Sequence, residues 1–257
     1  MARHTGEKEG RTIQSVEIAF NIIEILQKRG GAGVSELSGE LGHSKSTIHS
    51  HLRTLERREF LVRDGDKYRL SLRTLDMARH VRNQIGNYDV IRNEVEGLAD
   101  ETGEIVQFGI EEHNEVTYLY KASGEQAVET ASRVGTKQPM YSTSLGKAIL
   151  AYLPPEHVED VIAGTTFTAK TTKTITDVET LHEELETIRE RGYAIDDEEN
   201  YVGLRCVSAP VKNDDTVLGA ISITGPSSRF TDDRLHGELA NQVLRAANVI
   251  ELNTKFA

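Results

Sequence analysis

Lys45, Ser46, Thr47, His49, Ser50 and Arg53 crowd into one short stretch of the chain. Ammonium and guanidinium groups bond phosphate oxygens and the acceptor edge of guanine. Small hydroxyl side chains also bond phosphate and let a helix approach a base closely. Ile48, Leu52 and Leu55 recur between them at i, i+4 and i+7, which is one apolar face of a helix. The polar residues therefore share the opposite surface, and its chemistry is nucleic-acid contact. A solvated face of ordinary polar residues has the same types, so the flanking elements must decide.

Those elements agree with a DNA reader. The spacing predicts a helix over about 13–28, stopped by Gly30-Gly31. It carries two apolar rows, Val16, Phe20 and Ile23 (followed by Gln27), and Ile18, Ile22 and Ile25. One row packs a small core; a second means a wide core stripe or a surface covered by another subunit. A short helix over about 35–41 follows, with Leu37 and Leu41 inward, and Gly42-His43 makes the turn. Ser44 stands where its hydroxyl caps the next helix. In a helix-turn-helix the start of that second helix enters the major groove. Asp64-Gly65 between alternating segments predicts a hairpin over 61–70. Such a wing would place Arg63, Lys67 and Arg69 on the phosphate backbone or minor groove, unless it is purely structural. Leu72, Leu75, Ala78 and Val81 predict a linker helix ended by Gly86-Asn87.

The charge distribution supports this division. The net charge is −11, which by itself argues against a nucleic-acid partner. Residues 1–85, however, carry 15 Lys and Arg against 11 Asp and Glu, and the remainder 15 against 30. A basic module attached to an acidic one is the footprint expected of a tethered DNA reader. The acid surplus and the absence of Trp resemble proteins of salt-loving archaea, and equally an ordinary acidic soluble domain. No apolar run is long enough to span a bilayer, and residues 1–10 contain no secretory h-region, so a cytoplasmic protein is expected. The single Cys206 excludes an intrachain disulfide and a Cys-only zinc site, and no cofactor or metal is expected.

From Tyr88 the pattern becomes mixed. Helices are expected at 91–101, at 144–153, after Pro154-Pro155, and over 232–252. Thr176-Asp-Val-Glu179 reads as a capping box opening another helix, with Val178, Leu181, Leu185 and Ile188 inward. Strands are expected at 105–110, 116–121, 127–131, 206–211 and 217–224, the last two joined by Asn213-Asp-Asp215. A Thr-rich stretch over 165–176 reads as an exposed loop. The fold class is α+β.

Five strings in order then bear on the family: Leu-Gly-His-Ser-Lys-Ser-Thr-Ile-His (41–49), Arg133 to Ala151, Arg191 to Glu199, Gly203 to Val211, and Gly219 to Pro226. Over nearly its whole length the chain resembles the IclR family of transcriptional regulators. The resemblance implies a winged helix-turn-helix domain over 1–71, a linker helix over 72–87 and a GAF-like effector-binding domain over 88–257. It also implies a homodimer or tetramer on a palindromic double-stranded operator, controlling carbon-source catabolism through a small organic acid or sugar-derived metabolite. The effector residues it implies are Ser144, Leu145, Asp196, Cys206, Ser222 and Thr224, with Met140 in the apolar wall. Ser144, Ser222 and Thr224 would supply hydroxyls to a small acid or polyol, and the start of helix 144–153 would direct N–H groups at an anion. Asp196 suits a ligand with donors, or is a surface carboxylate; Cys206 is a pocket residue, or a small apolar strand residue.

Two other functions compete. An enzyme with Cys206 as nucleophile lacks a recognisable Cys/His pair, and the chain has no HExxH and no Walker loop. An architectural DNA-binding protein without a ligand would explain the basic module but not the large second domain.

Overall fold

The computed structural model describes residues 12–214 and 216–255. Residues 1–10 and Asp215 of the expected turn lie outside them. The chain forms two compact units, dividing between Ile85 and Gly86.

The first unit begins with α1 (Gln14–Arg29), β1 (Ala32–Gly33), α2 (Val34–Leu41) and α3 (Lys45–Arg57). β2 (Leu61–Asp64) and β3 (Lys67–Leu70) follow, and α4 (Arg73–Gln84) ends it. Ile18, Ile22, Ile25 and Leu26 of α1 pack against Leu37, Ile48, Leu52, Leu61 and Tyr68. The other row of α1 is not core: Val16 and Phe20 are exposed, Phe20 to 59%. Gly42 closes α2 in the left-handed conformation (φ 68°), and its N–H bonds Ser38 O. That turn favours glycine because it lacks a Cβ. The wing pairs antiparallel, with Asp64 opposite Lys67, and β1 adds a short third strand beside β3. No residue of α4 is buried within the described chain.

The second unit starts with α5 (Tyr88–Thr102), β4 (Ile105–Glu112), β5 (Glu115–Ser123) and β6 (Lys137–Pro139). Then come α6 (Ser144–Leu150), α7 (Pro155–Gly164), α8 (Val178–Arg191), β7 (Ala194–Asp197), β8 (Leu204–Asn213) and β9 (Thr216–Pro226). A final helical stretch comprises α9 (Asp232–Arg234), a π turn over Leu235–Leu239, and α10 (Ala240–Lys255). The strands make one antiparallel sheet in the order β6-β5-β4-β9-β8-β7.

Register explains the site. Directly opposed residues of an antiparallel sheet share a face. Asp196, Cys206 and Thr224 form one rung across β7, β8 and β9, and Ser208, Ser222 and Gln107 form a second across β8, β9 and β4. The intervening rung, Val207, Ile223 and Val106, is apolar and faces the other way. α5 and α10 pack on this sheet, as does α6. α6 lies close enough that a Cβ on Gly146 would stand 2.2 Å from Met140 O, so only glycine fits there.

Several expectations need correction. Residues 127–131 form no strand, and the short β6 takes the edge instead. α6 stops at Leu150 rather than at 153. The cap of α8 is Asp177, whose carboxylate accepts Thr180 N–H at 2.8 Å, one residue later than the expected box, and Val178 is exposed. The Thr-rich stretch is not wholly exposed: the buried Thr174 donates its hydroxyl to Glu199 O. β7 was not anticipated as a strand, although its residues lie in one of the family-like strings.

Candidate functional site

In the first unit Ser44 caps α3, its hydroxyl accepting Thr47 N–H at 3.1 Å. The hydroxyls of Ser46 and Thr47 both contact Ser44 Oγ, at 2.8 and 2.9 Å. Ser50 donates its hydroxyl back to Ser46 O at 3.0 Å. The small hydroxyls at 44, 46, 47 and 50 are therefore engaged within the helix. Lys45, His49 and Arg53 are exposed one turn apart and make no hydrogen bond or ion pair among the described residues. They form a basic row along the free face of α3. In the wing, Arg63 is turned inward on its own hairpin: its Nε donates to Gly65 O at 2.9 Å and its guanidinium lies over the Tyr68 ring. Lys67 and Arg69 are exposed on β3.

In the second unit a cavity of about 240 Å³ lies against the polar rungs of the sheet. That is somewhat below the roughly 300–1,000 Å³ common for small-molecule sites. Of the seven residues expected there, Ser144, Leu145, Asp196, Cys206, Ser222 and Thr224 line it. Met140 does not; it is buried in the apolar cluster with Tyr141 and Leu145. The helix start is also different from expectation. α6 has only seven residues, and its Gly146 N–H is taken by the Thr143 hydroxyl at 3.1 Å.

Polar groups inside are partly satisfied. Ser208 donates to Ser144, and Thr224 donates its hydroxyl to the Cys206 sulfur at 3.2 Å. Ser222 Oγ is buried with no hydrogen-bond partner among the described residues. A buried hydroxyl left unmade is costly, so a ligand or solvent partner is favoured there. Asp196 Oδ1 accepts Glu199 N–H at 2.7 Å and Asn200 N–H at 3.3 Å, while Oδ2 faces the Cys206 thiol. Burial pushes the Asp196 carboxyl up to about 7, with Glu199 adding to the rise and Lys147 opposing it. Burial likewise pushes the Cys206 thiol well up, and the neighbouring Asp196 carboxylate adds to that. The thiol is thus held protonated, the wrong state for a nucleophile. No cluster of metal-ligating side chains exists among the described residues.

Sequence reasoning missed Gln107, Tyr118, Ser132, Asn200 and Tyr201 in the lining. Gln107 carried a signal: it is the one polar residue in Ile105-Val-Gln-Phe108, and its side chain donates to Ser132 Oγ at 3.0 Å.

A winged helix-turn-helix with a free basic row, on the same chain as a sheet domain holding a polar cavity, defines a one-chain DNA-binding sensor. Comparison with known proteins specifies the class. The IclR helix-turn-helix domain matches residues 15–65, and the bacterial transcriptional regulator IclR C-terminal domain matches residues 83–252. The chain belongs to the IclR family of transcriptional regulators. It is 33% identical to the probable HTH-type transcriptional regulator ArcR of Halobacterium salinarum, over 97% of each chain. It is similar in structure to the Thermotoga maritima IclR, with a TM-score of 0.81 and 29% identity, covering 94% of this chain and 99% of that one. An IclR homologue of Microbacterium hydrocarbonoxydans complexed with 4-hydroxybenzoate shares the fold, with a TM-score of 0.80 at 22% identity, covering 95% and 98%.

Proposed function

We propose that this regulator binds a palindromic operator as a homodimer or tetramer and controls carbon-source catabolism genes in response to a small metabolite held in the second unit. The observation that carries the reading is the orphaned Ser222 hydroxyl in a cavity that Ser144, Thr224 and Asp196 also line, on a chain whose α3 leaves Lys45, His49 and Arg53 free. The Microbacterium homologue complexed with 4-hydroxybenzoate supports a small-molecule ligand for a chain of this fold. Organic acids and sugar-derived metabolites fit the size and the donors.

Base reading falls to Lys45 and His49 near the start of α3, with Arg53, Lys67 and Arg69 on phosphates. Ser44, Ser46, Thr47 and Ser50 support the helix geometry, and Arg63 supports the wing. The exposed Val16 and Phe20 of α1, with Leu72, Leu75, Met77 and Val81 around α4, support association with a second copy. No described helix is long and apolar enough to cross a membrane, which suits a cytoplasmic site of action. The protonated Cys206 supports a binding rather than an enzymatic role for the cavity.

The test is a mobility-shift assay on DNA upstream of the protein's own gene, with thermal-shift screening of hydroxy acids, sugar acids and 4-hydroxybenzoate. Lys45→Ala with Arg53→Ala should weaken binding and lower the salt dependence by about two phosphate equivalents at most. Unchanged affinity would remove α3 as the reader. No stabilisation by any compound, with a fully filled cavity in a crystal structure, would favour a regulator without a ligand.

A further inference from the structure

Lys147 is among the most deeply buried side chains of the protein, only 1% exposed. It lies on α6, one turn beyond Ser144, and is not among the residues that line the cavity. Its ammonium donates to Glu199 Oε1 at 2.5 Å and to Glu184 Oε1 at 3.4 Å, and Glu184 also accepts from Arg191. Glu199 is itself buried, and its second oxygen has no partner among the described residues.

Glu199 sits in the segment joining β7 to β8, which wraps one wall of the cavity. Glu198 holds a left-handed backbone (φ 62°), a conformation that costs a residue with a Cβ about 1 kcal/mol or more. Asp196 Oδ1 gathers the N–H groups of Glu199 and Asn200, and Glu198 gathers that of Gly203. The same segment carries Asn200 and Tyr201 to the cavity lining. Thr174 ties the backbone of this segment at Glu199 O, and Lys170 ties Asn200; Lys147 adds the buried tie to the Glu199 side chain.

We propose that Lys147 is the positioning residue of the effector cavity: its buried ammonium anchors Glu199, and through it the 196–203 segment that presents Asp196, Asn200 and Tyr201. Its functional meaning rests on reading the cavity as the effector site. Stability alone does not account for the residue. A buried ion pair is weak evidence for stability, because desolvating both charges offsets most of their attraction, and apolar replacements of similar volume are often neutral or better. What the pair supplies is one defined position for the turn.

The chain's single cysteine gives a ligand-free test, because Cys206 lies on the cavity floor beside Asp196. Alkylation by iodoacetamide, followed by intact-mass spectrometry on the folded full-length protein, reports opening of this wall. Lys147→Met should speed alkylation about tenfold or more through local opening, and Lys147→Arg should restore a rate close to that of the native chain. The double variant Lys147→Met, Glu199→Gln removes both charges of the buried pair, so it serves where the single variant fails to fold; it should show the same acceleration at near-native stability. Leu185→Ala, a core truncation in α8, is the control for general destabilisation. Native alkylation rates in both Lys147→Met proteins would overturn the proposal. So would an equal acceleration in Leu185→Ala. Because no effector is added, either result leaves the effector reading to its own ligand screen.

Discussion

The hydroxyl of Ser208 donates a 2.6 Å hydrogen bond to the hydroxyl of Ser144, tying the middle of β8 to the first residue of α6. Both are fully buried, and Ser144 lines the cavity. Removing one partner leaves the other unpaired in the interior, at a cost of about 1–3 kcal/mol. Ser144→Ala and Ser208→Ala should therefore each destabilise the second unit. The double variant should cost clearly less than the two added together, because no orphan remains. Urea unfolding followed by circular dichroism reads all three; strict additivity would show that the two hydroxyls are not coupled.

Asp196 makes a pH prediction with a definite sign. Its folded-state pKa of about 7 lies above the 3.8 of an ordinary aspartate. Between these two values the folded state holds a proton that the unfolded state has released. Stability must therefore fall as pH rises through the window from about 4 to about 7. Burial raises Glu199 as well, so the two carboxyls act together and in the same direction. Asp196→Asn keeps the acceptor for the Glu199 and Asn200 N–H groups but cannot ionise. From pH 5 to pH 8 the native chain should lose about 2–3 kcal/mol relative to this variant. A gap between the two proteins that stays constant with pH would show that Asp196 titrates normally.

The parts of this molecule that were legible from sequence are those set by local chemistry. Gly42 in a left-handed turn, Ser44 as a cap and Asp64-Gly65 between alternating segments each specify their own few residues, and the reading unit follows from them. The cavity was legible only through resemblance to a family, because its floor comes from residues far apart in sequence. Asp196, Cys206 and Thr224 meet by strand register, and Gln107 joins Ser222 in the same way. Met140 was misplaced because its side chain joins the apolar cluster of Tyr141 and Leu145, a packing fact rather than a pattern. The run at 127–131 resembled a strand, yet Thr130 and Ala131 line the cavity instead of pairing in the sheet. Lys147 gave no sign of burial in sequence, since its partner Glu199 is 52 residues away.

Ser44 offers a test of the reading helix that does not involve DNA. Its hydroxyl satisfies Thr47 N–H and receives the company of Ser46 and Thr47. Ser44→Ala removes the cap and should cost about 1 kcal/mol in the first unit. Ser44→Asp should keep most of the stability by capping the same N–H, but it places a negative charge at the end of α3 that we propose enters the groove. Thermal unfolding separates the variants by stability, and a mobility-shift assay should rank both below the native chain. An aspartate variant that binds operator as well as the native protein would mean the start of α3 lies away from the phosphates.

The exposed half of α1 makes the last prediction. Phe20 is 59% exposed although it stands one turn from Val16, also exposed, on a helix whose opposite row fills the core. Leu72, just before α4, and Leu75 and Val81 within it are more than half exposed. Each of these side chains forgoes part of the roughly 1.5–3 kcal/mol that complete burial against a partner surface would supply. A second copy of the chain offers such a surface, and a two-fold dimer would place two copies of α3 on two half-sites. Phe20→Glu and Leu75→Glu should therefore lower the mass measured by sedimentation without unfolding the first unit, since neither side chain contributes to its core. Operator affinity should fall with the mass, because a monomer reads a single half-site. A variant that sediments as the native protein does would place the self-association surface elsewhere on the chain.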